Sequence, residues 1–342
     1  MTHPSRPPLP AGPFLVAGLA RSGEAAATAL RARGEEVIGV DAGAGDRPDL
    51  AAAAGRLRAA GVEVHMDASG EALAARAGTL IKSPGVPQSA PLVRAARARG
   101  ITVIGELELA WRLLPNEFVA VTGTNGKTTT SEWIGHIHRT AGLPVAVAGN
   151  VGTALSSLVG SLPPDATVVC EASSFQLEDA EQFAPEVAVL LNRTPDHLDR
   201  HGSFEAYVQA KRRIFARQGD GDIAVLPDDL ELDPGGDAVQ LRFGDSSRAA
   251  LRLQDGELRW RGEPLLPAAA VPLPGAHNVQ NAMAAAAVCL ARGLDREPVR
   301  EGLRTFAGVA HRLEEVARRE EPDHPVGADR PAAPGAGVLH DI

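Results

Sequence analysis

The segment VAVTGTNGKTTTSEWIG, residues 119–135, contains the side chains best suited to phosphate chemistry. An apolar strand pattern leads into a glycine-containing turn, and Lys127 and Thr128 follow at the start of a helical pattern. Amides in such a turn, with the dipole of the next helix, favour a bound anion. The pattern predicts a nucleotide site, with Lys127 at the β- and γ-phosphates and Thr128 on Mg²⁺. The alternative is an ordinary β–α turn with a surface lysine.

The spacing of this segment departs from the common phosphate loop, G-x-x-x-x-G-K-S/T. That loop requires a glycine at the position of Val121, and the nearest upstream glycine is Gly123. The residues of the loop do not by themselves explain why its spacing is shorter.

A second glycine turn, GLARSG at residues 18–23, follows the first strand pattern of the chain. It fits G-x-G-x-x-G except that Ala20 replaces the central glycine, which argues against close approach of a dinucleotide pyrophosphate. Asp41 ends the second strand pattern, where a ribose-binding carboxylate is expected. A nucleotide-binding turn and a tight turn without a ligand both remain possible.

Two further strand patterns end in polar residues that suit a metal ion. TVVCEASSFQLE ends a strand in Glu171, although a carboxylate at a helix N-terminus is the alternative. EVAVLLNRTPDHLDRH leads into a loop of Asp and His residues, in which His197 is either a ligand or a structural histidine. Lys211 lies in a helical pattern beyond this loop, and its residue context alone favours a solvated lysine.

These residues require parallel sheets to bring them together. Apolar runs alternate with helical stretches along the chain, the pattern of doubly wound parallel sheets. Short β-ribbons with glycine turns are predicted after residue 240. We therefore predict an α/β fold: an N-terminal Rossmann-like parallel-sheet domain, then a central α/β domain of the P-loop ATPase type with a small β-ribbon subregion. The runs predicted as strands are FLVAG, EVIGVD, VEVHM, GTLIKS, ITVIG, EFVAVTG, PVAVAG, TVVCEA, EVAVLLN and DIAVLP.

Domain boundaries are predicted from changes in composition. The N-terminal domain is expected at residues 1–114 and the central domain at 115–312, with LLPNE (113–117) as a linker. Residues 313–342 are rich in Pro and Gly and end in GVLHDI, which resembles the start of a strand. We expect these residues to be a linker and the beginning of a truncated C-terminal domain.

Composition excludes several classes of protein. The net charge of −9 disfavours a nucleic-acid partner. No apolar run approaches the roughly 18 residues of a membrane span, and the N-terminus has no signal-peptide pattern. The two cysteines, Cys170 and Cys289, lie far apart in apolar runs, which indicates reduced core thiols of a cytoplasmic protein.

The ordered motifs together resemble those of the Mur ligase family of ATP-dependent amide-forming enzymes. The family uses a shortened loop, G-T-N-G-K-S/T, so Val121 is expected at its position. SSFQLE and DHLDRH, with the N-terminal domain, favour the D-glutamate-adding branch. The motifs lie between about residues 13 and 316: GLARSG, SPGV, GELELAW, GTNGKTTT, GNVG, EASSFQLE, LNRTPDHLDRH, YVQAK, PGAHNVQNAMAA and HRLEE.

This resemblance implies a monomeric cytoplasmic ligase of peptidoglycan precursor synthesis. It implies that D-glutamate is joined to UDP-N-acetylmuramoyl-L-alanine through an acyl phosphate, with ATP and Mg²⁺. Lys127, His197 and Lys211 are the implied catalytic residues, with Lys211 carbamylated by CO₂. The implied metal ligands are Thr128, Glu171, His197 and carbamylated Lys211. The implied ATP-binding residues are Gly123, Thr124, Asn125, Gly126, Lys127, Thr128, Thr129, Asn278, Asn281 and Arg312. The implied substrate-binding residues are Ser22, Asp41, Ser83, Asn150, Ser173 and Gln176.

Two other functions remain as alternatives. If the C-terminal domain is missing, the chain is expected to bind nucleotide and UDP-substrate without full ligase activity. A Rossmann oxidoreductase that uses GLARSG is the other alternative, but nothing after residue 115 supports hydride chemistry.

Overall fold

The computed structural model describes residues 6–43 and 47–309. The chain divides into two compact units, Met1–Val309 and Ala310–Ile342. The second unit lies outside the described residues, and so do the HRLEE motif and the expected segment 313–342.

The first sheet has five parallel strands in the order β3-β2-β1-β4-β5. All four residues of β1 and of β2 are buried, as expected for strands covered on both faces. Because β1 lies between β2 and β4, the strand order reverses there and opens a crevice at the carboxyl ends. The strands are β1 (Phe14–Ala17), β2 (Val37–Val40), β3 (Glu63–His65), β4 (Thr79–Lys82) and β5 (Thr102–Gly105). The helices between and after them are α1 (Arg21–Ala32), α2 (Pro48–Ala59), α3 (Pro91–Ala98) and α4 (Glu106–Leu113).

The second sheet has nine strands in the order β14-β13-β12-β11-β10-β9-β6-β8-β7. Neighbouring strands from β7 to β12 are parallel, and β12, β13 and β14 pair antiparallel. The predicted β-ribbons therefore continue the main sheet. The strands are β6 (Phe118–Thr122), β7 (Val145–Gly149), β8 (Thr167–Glu171), β9 (Val187–Leu190), β10 (Ile223–Pro227), β11 (Val239–Gly244), β12 (Leu251–Gln254), β13 (Glu257–Trp260) and β14 (Glu263–Pro267).

Helices cover both faces of the second sheet. Alternate residues of β6 face opposite sides, so Val119 and Val121 join one core cluster while Phe118 and Ala120 join the other. Helices α5, α9 and α10 pack in the first cluster, and α4 and α6 in the second. The helices of this region are α5 (Lys127–Thr140), α6 (Ser174–Leu177), α7 (Leu198–His201), α8 (Phe204–Arg212), α9 (Ala276–Ala291) and α10 (Arg296–Thr305).

The connection between the two sheets is fixed by packing. Asn116, in the expected linker LLPNE, is only 2% exposed. Its amide donates hydrogen bonds to the Pro163 and Ala166 carbonyls, both at 2.9 Å. Just before it, Trp111 of α4 contacts Phe183 edge to face, with ring centroids 5.7 Å apart. Leu114 and Asn116 of this segment are therefore buried, while Pro115 is exposed, and its role as a linker between domains stays a prediction.

Each of the ten apolar runs predicted as strands contains a strand. The boundaries predicted at residues 114 and 312 stay predictions. None of the helices in the described part of the chain combines the length and apolarity needed to cross a membrane.

Candidate active site

The topology brings the three candidate polar segments to one edge of the second sheet. β6 lies between β8 and β9, with Val121 beside Glu171 and Thr122 beside Leu190. The turn Gly123–Gly126, here named the phosphate turn, follows β6. Glu171 ends β8, and the DHLDRH segment comes after β9. Carboxyl ends of parallel strands are the usual position of ligand sites in such sheets.

The phosphate turn has the backbone geometry of an anion-binding loop. Gly126 has φ of 84° and caps the N-terminus of α5. This left-handed conformation favours glycine, and a Cβ here would also collide with the carboxamide of Asn281. Lys127 begins the helix, and its Nζ donates to the Gly123 carbonyl at 3.1 Å and the Thr124 carbonyl at 2.9 Å. The turn thus combines first-turn amides, which lack intrahelical acceptors, with a lysine folded over them.

Thr128 and Glu171 form a pair of oxygen donors beneath the turn. The Thr128 hydroxyl donates to Oε2 of Glu171 at 2.7 Å, and both residues are buried. The Asn150 amide donates to the other carboxylate oxygen at 3.0 Å. Hydroxyl and carboxylate oxygens are ligands that Mg²⁺ prefers, and it usually takes only one or two carboxylates besides phosphates and water. The donor set therefore fits Mg²⁺, although no group of three His, Cys, Asp or Glu side chains that could hold a metal occurs within the described residues.

His197 lies at the rim of this edge. Its backbone has φ of 50°, and it caps the short helix α7. Its side chain is half exposed, with Nε2 3.4 Å from a carboxylate oxygen of Asp196 and its ring 4.9 Å from that of Phe175. Among the contacts of the described residues, none joins His197 directly to Glu171. The described contacts thus connect His197 to Asp196 and Phe175, and its part in a metal site stays a prediction.

Lys211 is buried, in contrast to the solvated lysine that its local sequence favours. It is 2% exposed, and its Nζ donates to the Gly123 carbonyl at 2.7 Å. Burial lowers the pKa of Lys211 to about 7, and the charge of Lys127 lowers it further, while Asp196 and Glu171 act in the opposite direction. A large fraction of this amine is therefore neutral near pH 7.

Asn192 is a site residue that the sequence analysis missed. Its Oδ1 accepts hydrogen bonds from the amides of Thr124 and Asn125, both at 3.0 Å, and its Nδ2 donates to the Asn125 carbonyl at 3.0 Å. The Thr124 hydroxyl also bonds to Thr194 and to Tyr207 of α8. The signal available in the sequence was a polar residue just after an apolar strand.

We expect Asn192→Ala to weaken nucleotide binding. Each lost hydrogen bond contributes about 0.5–1.5 kcal/mol to the stability of the turn's conformation. Nucleotide binding to the variant has to restore that conformation, so we expect the Kd for Mg²⁺·AMP-PNP to rise about tenfold or more. Calorimetric titration measures this change. Arg193→Gln is the matched control, because Arg193 is the next residue and bonds only to the Glu231 carbonyl among the described contacts. An unchanged Kd in Asn192→Ala would show that the turn holds its shape without Asn192.

The N-terminal turn, Gly18–Gly23, follows β1 of the first sheet and lies close to predicted substrate-binding residues. Gly18 has φ of 81°, and the Ser83 hydroxyl donates to its carbonyl at 2.7 Å. Asp41 accepts the amides of Leu19 at 2.6 Å and Gly43 at 2.7 Å. Ser22 lies in the first turn of α1, beside the same loop. The geometry gives Asp41 and Ser83 a role in shaping the turn, and their contact with a ligand stays a prediction.

Two predicted substrate residues have a structural role in the described chain. Ser173 caps α6. The backbone N–H of Gln176 donates to Oγ of Ser173 at 3.3 Å, and the backbone N–H of Ser173 donates to the side-chain Oε1 of Gln176 at 2.9 Å. This reciprocal capping box satisfies backbone amides at the helix start.

Asn150 is a third predicted substrate residue. Its carbonyl accepts a hydrogen bond of 3.2 Å from Arg21 of α1, which links the two sheet edges. Substrate contacts of these residues stay predictions.

The N-terminus of α9 lies against the phosphate turn. Asn278 and Asn281 are 1% and 6% exposed, and the Asn281 amide donates to Oδ1 of Asn278 at 3.3 Å. The Asn278 amide also donates to the Pro274 carbonyl at 2.7 Å. Asn281 lies close to Gly126, so this helix borders the turn. The expected adenine contacts stay predictions, and Arg312 lies outside the described residues.

Known sequences provide an independent comparison. A family model described as Mur ligase middle domain matches residues 121–289. The UDP-N-acetylmuramoylalanine–D-glutamate ligase of Pelotomaculum thermopropionicum is 43% identical over 318 residues, which are 89% of this chain and 68% of that relative. The ligase of the same name from Acidobacterium capsulatum is 42% identical over 319 residues, with the same shares of 89% and 68%.

Solved structures share the fold. The UDP-N-acetylmuramate:L-alanyl-gamma-D-glutamyl-meso-diaminopimelate ligase of Neisseria meningitides matches with a TM-score of 0.60 at 21% identity, over 86% of this chain and 98% of that one. The UDP-N-acetylmuramate-alanine ligase of Thermotoga maritima matches with a TM-score of 0.53 at 24% identity, over 87% and 69%. These likenesses confirm the predicted α/β fold class. Because the chain covers 68% of relatives that are 42–43% identical to it, it belongs to the Mur ligase family.

Proposed function

We propose that the protein is an ATP-dependent ligase that joins D-glutamate to UDP-N-acetylmuramoyl-L-alanine in peptidoglycan precursor synthesis. The main observation is the phosphate turn, held between the Thr128–Glu171 pair and the buried Lys211. The identity of 43% to a ligase of that name supports the choice of substrates. We further propose that it acts as a monomer in the cytoplasm.

The nucleotide would bind at the phosphate turn. Lys127 and the first-turn amides of Lys127, Thr128 and Thr129 would bind the phosphates, because these groups combine positive charge with N–H donors. Because Gly123 and Gly126 have no side chains, the backbone of the turn could approach the phosphates closely. Thr124 and Asn125 would shape the turn through Asn192. Adenine would lie near Asn278 and Asn281, and Arg312 would contact the phosphates or ribose.

Mg²⁺ would be held by Thr128 and Glu171, with His197 and carbamylated Lys211 near them. When bound, the ion offsets the charge on the transferring phosphoryl group. Lys127 would neutralise the same charge from the turn. Stabilisation of this charge is the main task of a protein that transfers a phosphoryl group.

We propose carbamylation of Lys211 because its amine is buried and has a lowered pKa. The ammonium first loses one proton, and the neutral nitrogen then attacks CO₂: an N–C bond forms, one C=O electron pair moves onto oxygen, and a second proton leaves the nitrogen. With two protons released, a cation becomes an anion. The N–H that remains can still donate to the Gly123 carbonyl. The change converts repulsion between Lys127 and Lys211 into attraction.

The substrate would span the two sheet edges. Ser22, Asp41 and Ser83 surround the N-terminal turn and would hold the UDP moiety. Asn150 bonds to Glu171, and Ser173 and Gln176 follow Glu171 in the chain. These three residues would surround the muramoyl-alanine end. The bond from Arg21 to the Asn150 carbonyl connects these two groups of residues.

The reaction requires activation, because a carboxylate does not condense with an amine in water. The alanyl carboxylate would attack the γ-phosphorus, and ADP would leave. The D-glutamate amine would then attack the acyl carbon of this acyl phosphate, forming the N–C bond as the C–O bond to phosphate breaks. Closure of the site around the acyl phosphate would exclude water.

Phosphate release from ATP tests the proposal. We expect release by this chain to require both UDP-N-acetylmuramoyl-L-alanine and D-glutamate, with formation of the amide product. Assays with L-alanine or meso-diaminopimelate in place of D-glutamate test the branch. Faster turnover with either of these amino acids would contradict the D-glutamate assignment.

A second candidate is binding of ATP and the UDP-substrate without amide formation. The chain spans 68% of the length of the relatives that it matches. Calorimetric titration with an ATP analogue and with the UDP-substrate, next to the amide assay on this chain, separates the two candidates. Binding of both ligands without turnover would favour the second.

A further inference from the structure

Arg200 of α7 connects the two sheet edges. Its terminal nitrogen donates to the Pro84 carbonyl at 2.7 Å and lies 3.5 Å from the Val86 carbonyl. Pro84 and Val86 belong to the SPGV loop, Ser83–Val86, which follows β4 of the first sheet. Arg200 itself belongs to the segment after β9 of the second sheet. One side chain therefore joins the SPGV loop, next to the N-terminal turn, to the segment Asp196–His201, here named the His197 segment.

The same guanidinium packs on Phe175 of α6. Its carbon lies 3.8 Å from the ring centroid, which is the geometry of a cation–π contact. The rings of His197 and His201 lie 4.9 Å and 5.3 Å from the ring of Phe175. Arg200 and Phe175 therefore help to position the His197 segment, together with His201, whose ring nitrogens contact Glu178 and Ser174, each at 2.9 Å.

The SPGV loop also contacts the N-terminal turn and Lys82. The Ser83 hydroxyl bonds to the Gly18 carbonyl of the N-terminal turn. Lys82 donates to the Val86 carbonyl at 2.8 Å and pairs with Asp179 at 2.8 Å, with side chains 0% and 2% exposed. These contacts connect the N-terminal turn to the loop whose carbonyls Arg200 binds.

We propose that Arg200 is a positioning residue that couples the UDP-substrate site to the nucleotide site. The inference rests on the proposed function. A ligand on the N-terminal turn fixes the SPGV loop, and Arg200 then holds the His197 segment beside the phosphate turn. Linkage makes the effect reciprocal, so each ligand strengthens binding of the other by the same factor.

Only arginine suits this position. The planar guanidinium stacks on a ring and donates hydrogen bonds in its plane at the same time, whereas a lysine ammonium cannot do both with this geometry. The conservative change Arg200→Lys keeps the charge and most of the apolar stem. It therefore separates the proposed contact from a general effect of positive charge.

Calorimetric titrations of the full chain test the coupling. Mg²⁺·AMP-PNP is titrated with and without saturating UDP-N-acetylmuramoyl-L-alanine, and the reverse titration is carried out as well. We expect each ligand to tighten binding of the other about fivefold or more in the wild type, within the usual range of coupling. In Arg200→Lys, Arg200→Gln and Phe175→Leu this factor falls towards one, while each ligand alone binds nearly as in the wild type. Arg193→Gln, in the same segment, retains the factor.

Each other outcome has a definite meaning. A wild-type chain that binds neither ligand contradicts the proposed function itself. Binding of both ligands without coupling in the wild type contradicts the inference alone. Coupling that survives in Arg200→Lys and Arg200→Gln contradicts it as well. Equal loss of affinity for each ligand alone, with an unchanged factor, assigns Arg200 a purely structural role, because contacts by themselves are not proof of coupling.

Discussion

We expect Lys127→Ala to lower the rate of ATP-dependent phosphoryl transfer about 10²–10³-fold and to leave the fold intact. The Lys127 ammonium lies over the phosphate turn, where it bonds to the Gly123 and Thr124 carbonyls. In the proposed reaction it stabilises charge that grows on the transferring phosphoryl group. Removal of one such group typically lowers kcat by about 10²–10³-fold. The rate of ADP formation with both co-substrates measures the loss.

The controls for Lys127 separate charge from shape. Lys127→Arg keeps the positive charge but not the compact ammonium, so we expect partial activity at most. The unfolding temperature of Lys127→Ala is expected to stay near that of the wild type, because the side chain is only partly buried and contributes little to the core. Wild-type turnover in Lys127→Ala would rule out the phosphate-turn assignment.

The same substitution also distinguishes binding from chemistry. If Lys127 acts mainly in the transition state, kcat falls while the Kd for ATP rises much less. If it acts equally on the bound ground state, the Kd for ATP rises while kcat stays unchanged. A chain that only binds its ligands shows the change in Kd alone. The comparison therefore remains informative for either candidate function.

The sheets were predictable because burial leaves a strong mark on sequence. A strand covered on both faces needs apolar residues throughout, and runs such as FLVAG and EVAVLLN meet that need. The phosphate turn was predictable because its glycine and lysine are required by backbone geometry and charge. Gly126, with φ of 84° and Asn281 against it, shows this requirement directly.

Features that depend on neighbours in space were not predictable. Asn192 clamps the turn only because β9 lies beside β6, and strand order is not visible in one sequence. Lys211 has a helical pattern like that of a surface lysine, and its burial depends on how α8 meets Gly123. The β-ribbons were recognised as strands, but their continuity with the main sheet follows from the pairing of β11 with β10 and β12.

Lysine content makes the remaining prediction unusually easy to test. The chain contains only three lysines, Lys82, Lys127 and Lys211. Lys82 is held in a buried ion pair with Asp179. Lys127 lies over the phosphate turn. Any carbamate on a lysine can therefore be assigned by single substitutions.

We expect ¹³C-labelled bicarbonate to give a protein-bound carbamate resonance that disappears in Lys211→Met and persists in Lys127→Arg. The buried amine, with its pKa lowered to about 7, is the lysine prepared to react with CO₂. In the proposed site the carbamate would be an anion beside Mg²⁺, so we expect Lys211→Arg, which cannot form it, to lose about 10²–10³-fold in the rate of ADP formation. Lys211→Glu restores the negative charge on a shorter side chain, so its rate lies between those of Lys211→Arg and the wild type. A resonance that persists in Lys211→Met, or a wild-type rate in Lys211→Arg, would show that the carboxylate near the metal is supplied by another group.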